Sequence, residues 1–215
     1  MYAYIDVLFG VRASVTREAV DISTVLSDSD GQLVRNMPPY LLTPRAFCVA
    51  YADAHGNVVP MYYKGEPGDV LEKLDNTLYA VAGAPGNNGT ELVGWNLDRV
   101  IIPSLAANAV MYGKKLPQKY FRLMSEKWSK AGGYSVERAF WQGWYSLDRT
   151  HDADQAMNLT LADAAHLSGI DDPKKVEAAM AVDGTEEPDK TRLAARLSVI
   201  CNLFVRNQDL LATRR

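Results

Sequence analysis

Few side chains in this sequence stand at spacings that could do chemistry. His151, Asp152 and Asp154 in RTHDAD would together suit a divalent cation, but no further ligand follows at a suitable spacing, and a solvated acidic loop is the stronger reading. GAPGNNGTE has the glycine content of a phosphate-binding loop without the Gly-Lys-Ser/Thr that completes one, so it reads as a connection. There is no Gly-x-Ser-x-Gly elbow, and neither Cys48 nor Cys201 has a convincing histidine partner, which removes support for serine or cysteine hydrolase chemistry. His55 in DAHGN reads as a turn residue, and His166 as a packed or surface residue of a helix. Asp6, in the first apolar run, has a plain reading as a partly buried carboxylate at a strand end, bonded to backbone. The run YGKKLPQKYFRLMSEKW offers Lys114, Lys115, Lys119 and Arg122 to a phosphate backbone and Tyr120 and Phe121 for stacking. A charged surface with its aromatics turned inward is the favoured alternative. Phe140, Trp141, Trp144 and Tyr145 form either core or an exposed contact patch for a protein.

The elements that must carry these residues follow from patterning. A chain of 215 residues with 47% hydrophobic and 23% charged side chains has the profile of one globular domain. The net charge of −3 gives no general attraction to nucleic acid. No run approaches the roughly 20 apolar residues of a membrane span, and the first residues lack the pattern of a signal peptide, so a cytoplasmic protein without a membrane partner is expected. Both cysteines sit in apolar stretches and read as buried free thiols. YAYIDVLF is a first, central strand; RAFCVAYAD and VVPMYYKG are two strands joined by a tight turn. Val70, Leu71, Leu74, Leu78 and Val81 recur at helical spacing between Asp69 and Gly83. ELVGW is a short strand, and a helix opens at Pro103 and closes at Gly113. The segment from 117 to 150 gives no clear order. LTLADAAHLSGI is helical, DDPKKVEAAM adds a short helix, VDGTEEPDK is a solvated loop, and TRLAARLSVICNLFVRNQDLLA is the longest helix. A sheet built largely before residue 100 and helices concentrated after it make an α/β order with a mixed sheet.

Taken together, YIDVLF, RAFCVAYADAHGNV, LVGWNLDRVIIPSLAANAVMYGKKLPQKYF, LTLADAAHLSGI and VDG followed by TRLAARLSVICNLFVRN occur in an order that resembles the DEDD-type 3′–5′ exonucleases. The chain resembles the predicted exonucleases related to the proofreading domain of family-B DNA polymerases. The resemblance spans nearly the whole chain and implies a ribonuclease H-like fold over residues 1–215: a mixed central sheet flanked by helices, with a mostly helical C-terminal half. Such enzymes hold two divalent cations about 4 Å apart over the scissile phosphate with an Asp-x-Glu pair on the first strand, an Asp after a second strand and an Asp on a late helix. Position by position, Asp6 matches the first carboxylate and Leu8 stands where the glutamate belongs. Aligning Gly94, Trp95, Asn96 and Pro103 puts Ile101 at the second aspartate, and Val199 falls at the last, with Ala195 where a tyrosine or histidine would orient water.

The resemblance therefore implies a catalytically inactive exonuclease-like protein that binds a protein partner or nucleic acid, Asn96 being a further nucleic-acid candidate, with no cofactor. Reuse of this kind is frequent in mobile and viral genomes. An alternative is an active enzyme that uses Asp6 and Asp98 with Mg or Mn, helped by an acid such as Asp148 or Asp189. A second alternative is a structural subunit of a larger assembly. The identity of the partner and the number of copies are left open.

Overall fold

Ten consecutive residues rich in β-formers, YAYIDVLFGV, make strand β1 (Tyr2–Val11), and every one from Ala3 to Val11 is buried. Burial on both faces explains why the run alternates so weakly in sequence, since a strand covered on either side has no solvent face to mark with polar residues. In the computed structural model the described residues are 2–11, 39–52, 58–82, 91–115, 133–135, 160–181 and 187–212. They form a mixed α/β structure around a five-stranded sheet in the order β3-β2-β1-β4-β5.

Strands β2 (Leu42–Ala52) and β3 (Val58–Lys64) pair antiparallel, as the sequence predicts, and β2 pairs antiparallel with β1. β4 (Glu91–Gly94) and β5 (Gly133–Ser135) continue the sheet parallel to β1. β5 lies in the segment that patterning left unordered; three residues are too few to show a period. Opposite Leu8 stands Ala46, but opposite Phe9 stands Pro44, so Arg45 is an extra residue in β2. A proline cannot donate to the ladder, and a bulge beside it accommodates the loss.

The two faces of β1 bury different sets. Ile5, Val7, Phe9 and Val11 pack with Val70, Leu71, Leu74 and Leu78 of helix α1 (Pro67–Ala82) and with Ile102 and Leu105 of helix α2 (Ile102–Met111). Tyr4 and Leu8 face the other way, where Cys48, Val93 and Trp95 join them beneath helices α3 (Leu161–Leu167) and α5 (Pro188–Ala212). Val176 of the short α4 (Pro173–Met180) packs against the same cluster. Phe204 of α5 is set edge-on to Tyr2 and Tyr4, with centroids 4.8 and 6.1 Å away.

Local sequence fixes the ends of these helices. Thr160 and Asp163 form a reciprocal capping box at α3, and Asp172 accepts from the Lys175 amide at α4. Gly113 and Gly169, with φ of 61° and 63°, end α2 and α3 in paired backbone bonds, Lys114 to Ala109 and Gly113 to Val110, then Ile170 to Ala165 and Gly169 to His166. α5 begins at Pro188, earlier than the expected start at Thr191, which shortens the expected loop VDGTEEPDK. Proline is already shaped for a first helical turn, and the Lys190 and Thr191 amides close that turn on the Glu187 carbonyl at 3.0 and 3.1 Å.

The Gly-Trp-Asn segment is the sharpest bend. Asn96 is left-handed (φ 52°), and its carbonyl accepts from both Val100 and Ile101 at 2.9 and 3.2 Å, opening a π-helical turn (Leu97–Ile101) that runs into α2. Asparagine tolerates that conformation better than most residues. Gly94 is needed for a different reason: a Cβ there would stand 3.1 Å from the Ile5 carbonyl oxygen and 3.2 Å from Leu97 Cδ1. Because the obstructing oxygen belongs to the central strand, it has little room to shift. Gly94→Ala is expected to destabilise the fold by about 1–3 kcal/mol, read as a lower urea midpoint with an unchanged slope.

Candidate functional site

Helix α5 presents Leu193, Leu197, Ile200, Leu203 and Phe204 to the sheet, a stripe with helical spacing. Arg196 lies inside this stripe, 7% exposed. Its Nε donates to Oδ2 of Asp6 at 2.5 Å, and Asp6 is itself 2% exposed. Asp6 is thus in the middle of β1 and buried, where the plain reading has it partly buried at a strand end, and it accepts from a side chain. Directly across the ladder stands Cys48, a free thiol with no solvent exposure. Burial first, and then the Asp6 carboxylate, push the Cys48 thiol up to about 12, with Lys190 pulling weakly the other way. Cys201, the other free thiol, is half-buried rather than buried.

The residues assigned to ligand positions by the resemblance separate into two groups. Leu8 lies on the same face of β1 as Asp6, and Val199 of α5 belongs to the same buried cluster. Ile101 does not: it packs in the cluster on the opposite face of the sheet, with Val7 and Leu105. The expected grouping of Leu8, Ile101 and Val199 around one centre is therefore incomplete. Ile101 ends the π-helical turn that leads from β4 into α2. Ala195 is fully buried on α5. Asp98 falls within the π-helical turn, but its side chain lies outside the described residues, as does all of Asp148. Asp189 is spoken for at the sheet edge, where Lys64 Nζ donates to its Oδ2 at 2.7 Å and lies 2.9 Å from Glu187 Oε1. These two carboxylates raise the Lys64 ammonium above its ordinary value.

The basic candidates fare differently. Lys114 Nζ donates to Glu72 Oε2 of α1 at 2.5 Å, so its charge is already met, while Lys115 is exposed. Asn96 is buried, with the left-handed backbone described above. Lys119, Arg122, Tyr120, Phe121, His55, the His151 group and the aromatic cluster of Phe140, Trp141, Trp144 and Tyr145 lie outside the described residues. His166 is exposed in the last turn of α3.

Neither protein-family models nor curated proteins give a match to this sequence. The chemistry must come from the residues. Among the described residues no group of three or more His, Cys, Asp or Glu side chains is placed to hold a metal ion, and no helix is long and apolar enough to cross a membrane. At Asp6 the neighbouring cation is Arg196. A guanidinium is charged at all ordinary pH, and a divalent ion about 4 Å from it would be repelled by about 8 kcal/mol at an effective dielectric near 20.

Arg196 is the residue that motif comparison misses and helical periodicity reveals. A cation three residues after Leu193 and four before Ile200 sits within the buried stripe, and a buried cation requires an anion. Arg196→Leu removes the guanidinium that donates to buried Asp6 and is expected to cost about 3–5 kcal/mol in urea denaturation. Asp6→Val with Arg196→Met, which removes both charges at similar volume, should return most of that loss. A second test follows from the thiol. Cys48, together with Tyr4, whose hydroxyl is pushed up by burial and by Cys201, and Tyr62, pushed up by burial and by Glu187, holds its proton in the folded chain after the unfolded chain would have lost it. The Cys48 contribution is whole below the ordinary thiol value of 9.0 and is lost progressively as pH rises toward about 12, while those of the two tyrosines are lost from their ordinary value of 10.0 upward. Urea midpoints should therefore fall over that interval, and the fall should be smaller in Cys48→Ala.

Proposed function

We propose that this chain is an exonuclease-like domain of ribonuclease H-like fold that does not cleave nucleic acid and acts by binding, a protein partner being favoured. The observation that carries the reading is the Arg196 guanidinium bonded to Asp6, the single carboxylate at the positions where the resemblance expects metal ligands. A cation supplied by the chain occupies the carboxylate a metal would need, and the neighbouring Leu8 and Val199 are apolar. The sheet adds support. β1, β3, β4 and β5 run in one direction with antiparallel β2 between β3 and β1, the arrangement a ribonuclease H-like fold calls for.

A protein partner is favoured over nucleic acid for two reasons. Lys114 is neutralised by Glu72, and the net charge of −3 provides no long-range pull on phosphate. At the end of α2, by contrast, Val110, Met111 and Tyr112 are consecutive and exposed. With Mg²⁺ or Mn²⁺ present, the protein should leave single-stranded DNA and RNA undigested, and Asp6→Ala should behave no differently. Metal-dependent shortening from the 3′ end that disappears in Asp6→Ala would refute the reading in favour of an active nuclease.

A further inference from the structure

β3 is an outer strand of the sheet, with β2 on one side and no strand on the other among the described residues. Its backbone groups therefore divide by parity. The pairing with β2 runs without a break from Lys64 opposite Ala46 to Val58 opposite Ala52, and one residue beyond it the Gly65 amide donates to the Arg45 carbonyl at 3.2 Å. In an antiparallel ladder, residues that exchange bonds alternate with residues that do not. Tyr63, Met61 and Val59 thus turn their backbone groups toward β2, while Lys64, Tyr62, Pro60 and Val58 turn theirs outward. Among the described residues, no backbone hydrogen bond outside the ladder involves these outward positions.

An open edge of this kind is a template for another chain. Composition makes it a strong one: the run VVPMYY from Val58 to Tyr63 carries no charge and, its proline apart, consists of apolar and β-forming residues. The occupant it suits best is the same run of a second copy, equal in length and character, laid antiparallel about a two-fold axis. At the opposite edge, β5 has only the residues Gly133–Ser135, and so short a strand is a poor template.

Pro60 stands where such a pairing would have to pass. It is exposed and faces outward, so β2 asks for no N–H from it and the fold loses nothing by its presence. The penalty falls on the newcomer. A strand laid along β3 would set a carbonyl against a ring that has no hydrogen to donate and that fills the space a donor would use.

We propose that Pro60 closes this edge of the sheet to a second copy of the chain: it guards against pairing of β3 with β3 and is not a requirement of the fold. The inference stands apart from any relation of the chain to nucleases.

Hydrogen exchange read residue by residue on the full chain should show the Tyr62 and Lys64 amides exchanging about a hundredfold faster or more than those of Met61 and Tyr63. Equal protection of the two sets would overturn the proposal, because the edge would then already be taken. Pro60→Val restores the donor in a residue that favours strands. Sedimentation equilibrium should show self-association about tenfold tighter or more than in the parent, with the Tyr62 and Lys64 amides protected in the associated form. Unchanged association, or association that leaves those amides as fast as in the parent, would also overturn it. Should Pro60→Val give no soluble protein, Pro60→Thr carries the same amide with an added hydroxyl and is read in the same way.

Discussion

A carboxylate on the central strand and a guanidinium on the C-terminal helix meet where almost everything around them is hydrocarbon. In such a setting an ion pair contributes little net stability over a well-packed apolar pair, yet losing either half is severe. The pair therefore acts as a condition on assembly: α5 packs acceptably when Arg196 lies over Asp6, and other settings of the helix bury an unmatched charge. The remaining contacts of the layer, from Leu193 to Phe204, supply burial energy without that selectivity.

The same pair shapes the electrostatics at the centre of the sheet. Carboxylates serve cation-dependent catalysis when several of them converge on a hydrated space, and here the carboxylate points at a fixed organic cation with a neutral thiol and apolar side chains alongside. Polar clusters elsewhere are of the same kind: Lys64 with Glu187 and Asp189 joins the sheet edge to the start of α5, and Lys114 with Glu72 joins α2 to α1. Being exposed, those pairs are screened by water and salt and guide position more than they add stability.

Legibility in the sequence followed the range of the interactions. The strand pair β2 and β3, the short strand at ELVG, and the helices closed by Gly113 and Gly169 were readable, because caps, turns and periodicity are decided within a few residues. The start of α5 was displaced by the acidic composition of its first turn, which resembles a loop, although Pro188 favours a helix start. β5 was not readable, since three residues earn their place through pairing with β4. In the site, Leu8 and Val199 share a cluster whereas Ile101 packs on the other face of the sheet, a separation that depends on how the turn after β4 leads into α2 and is not written in residue spacing.

By itself the sequence determined most of the longer strands and helices, where several of them stop, and that an arginine interrupts the apolar stripe of the last helix. These are local matters of backbone preference, capping and spacing. Only the tertiary structure decided that the partner of Arg196 is Asp6, 190 residues away in sequence, and that Leu8 and Ile101 stand on opposite faces of the sheet. Nothing in the neighbourhood of either residue encodes that meeting, because it arises when the sheet and the helical layer close on each other and expel water from between them.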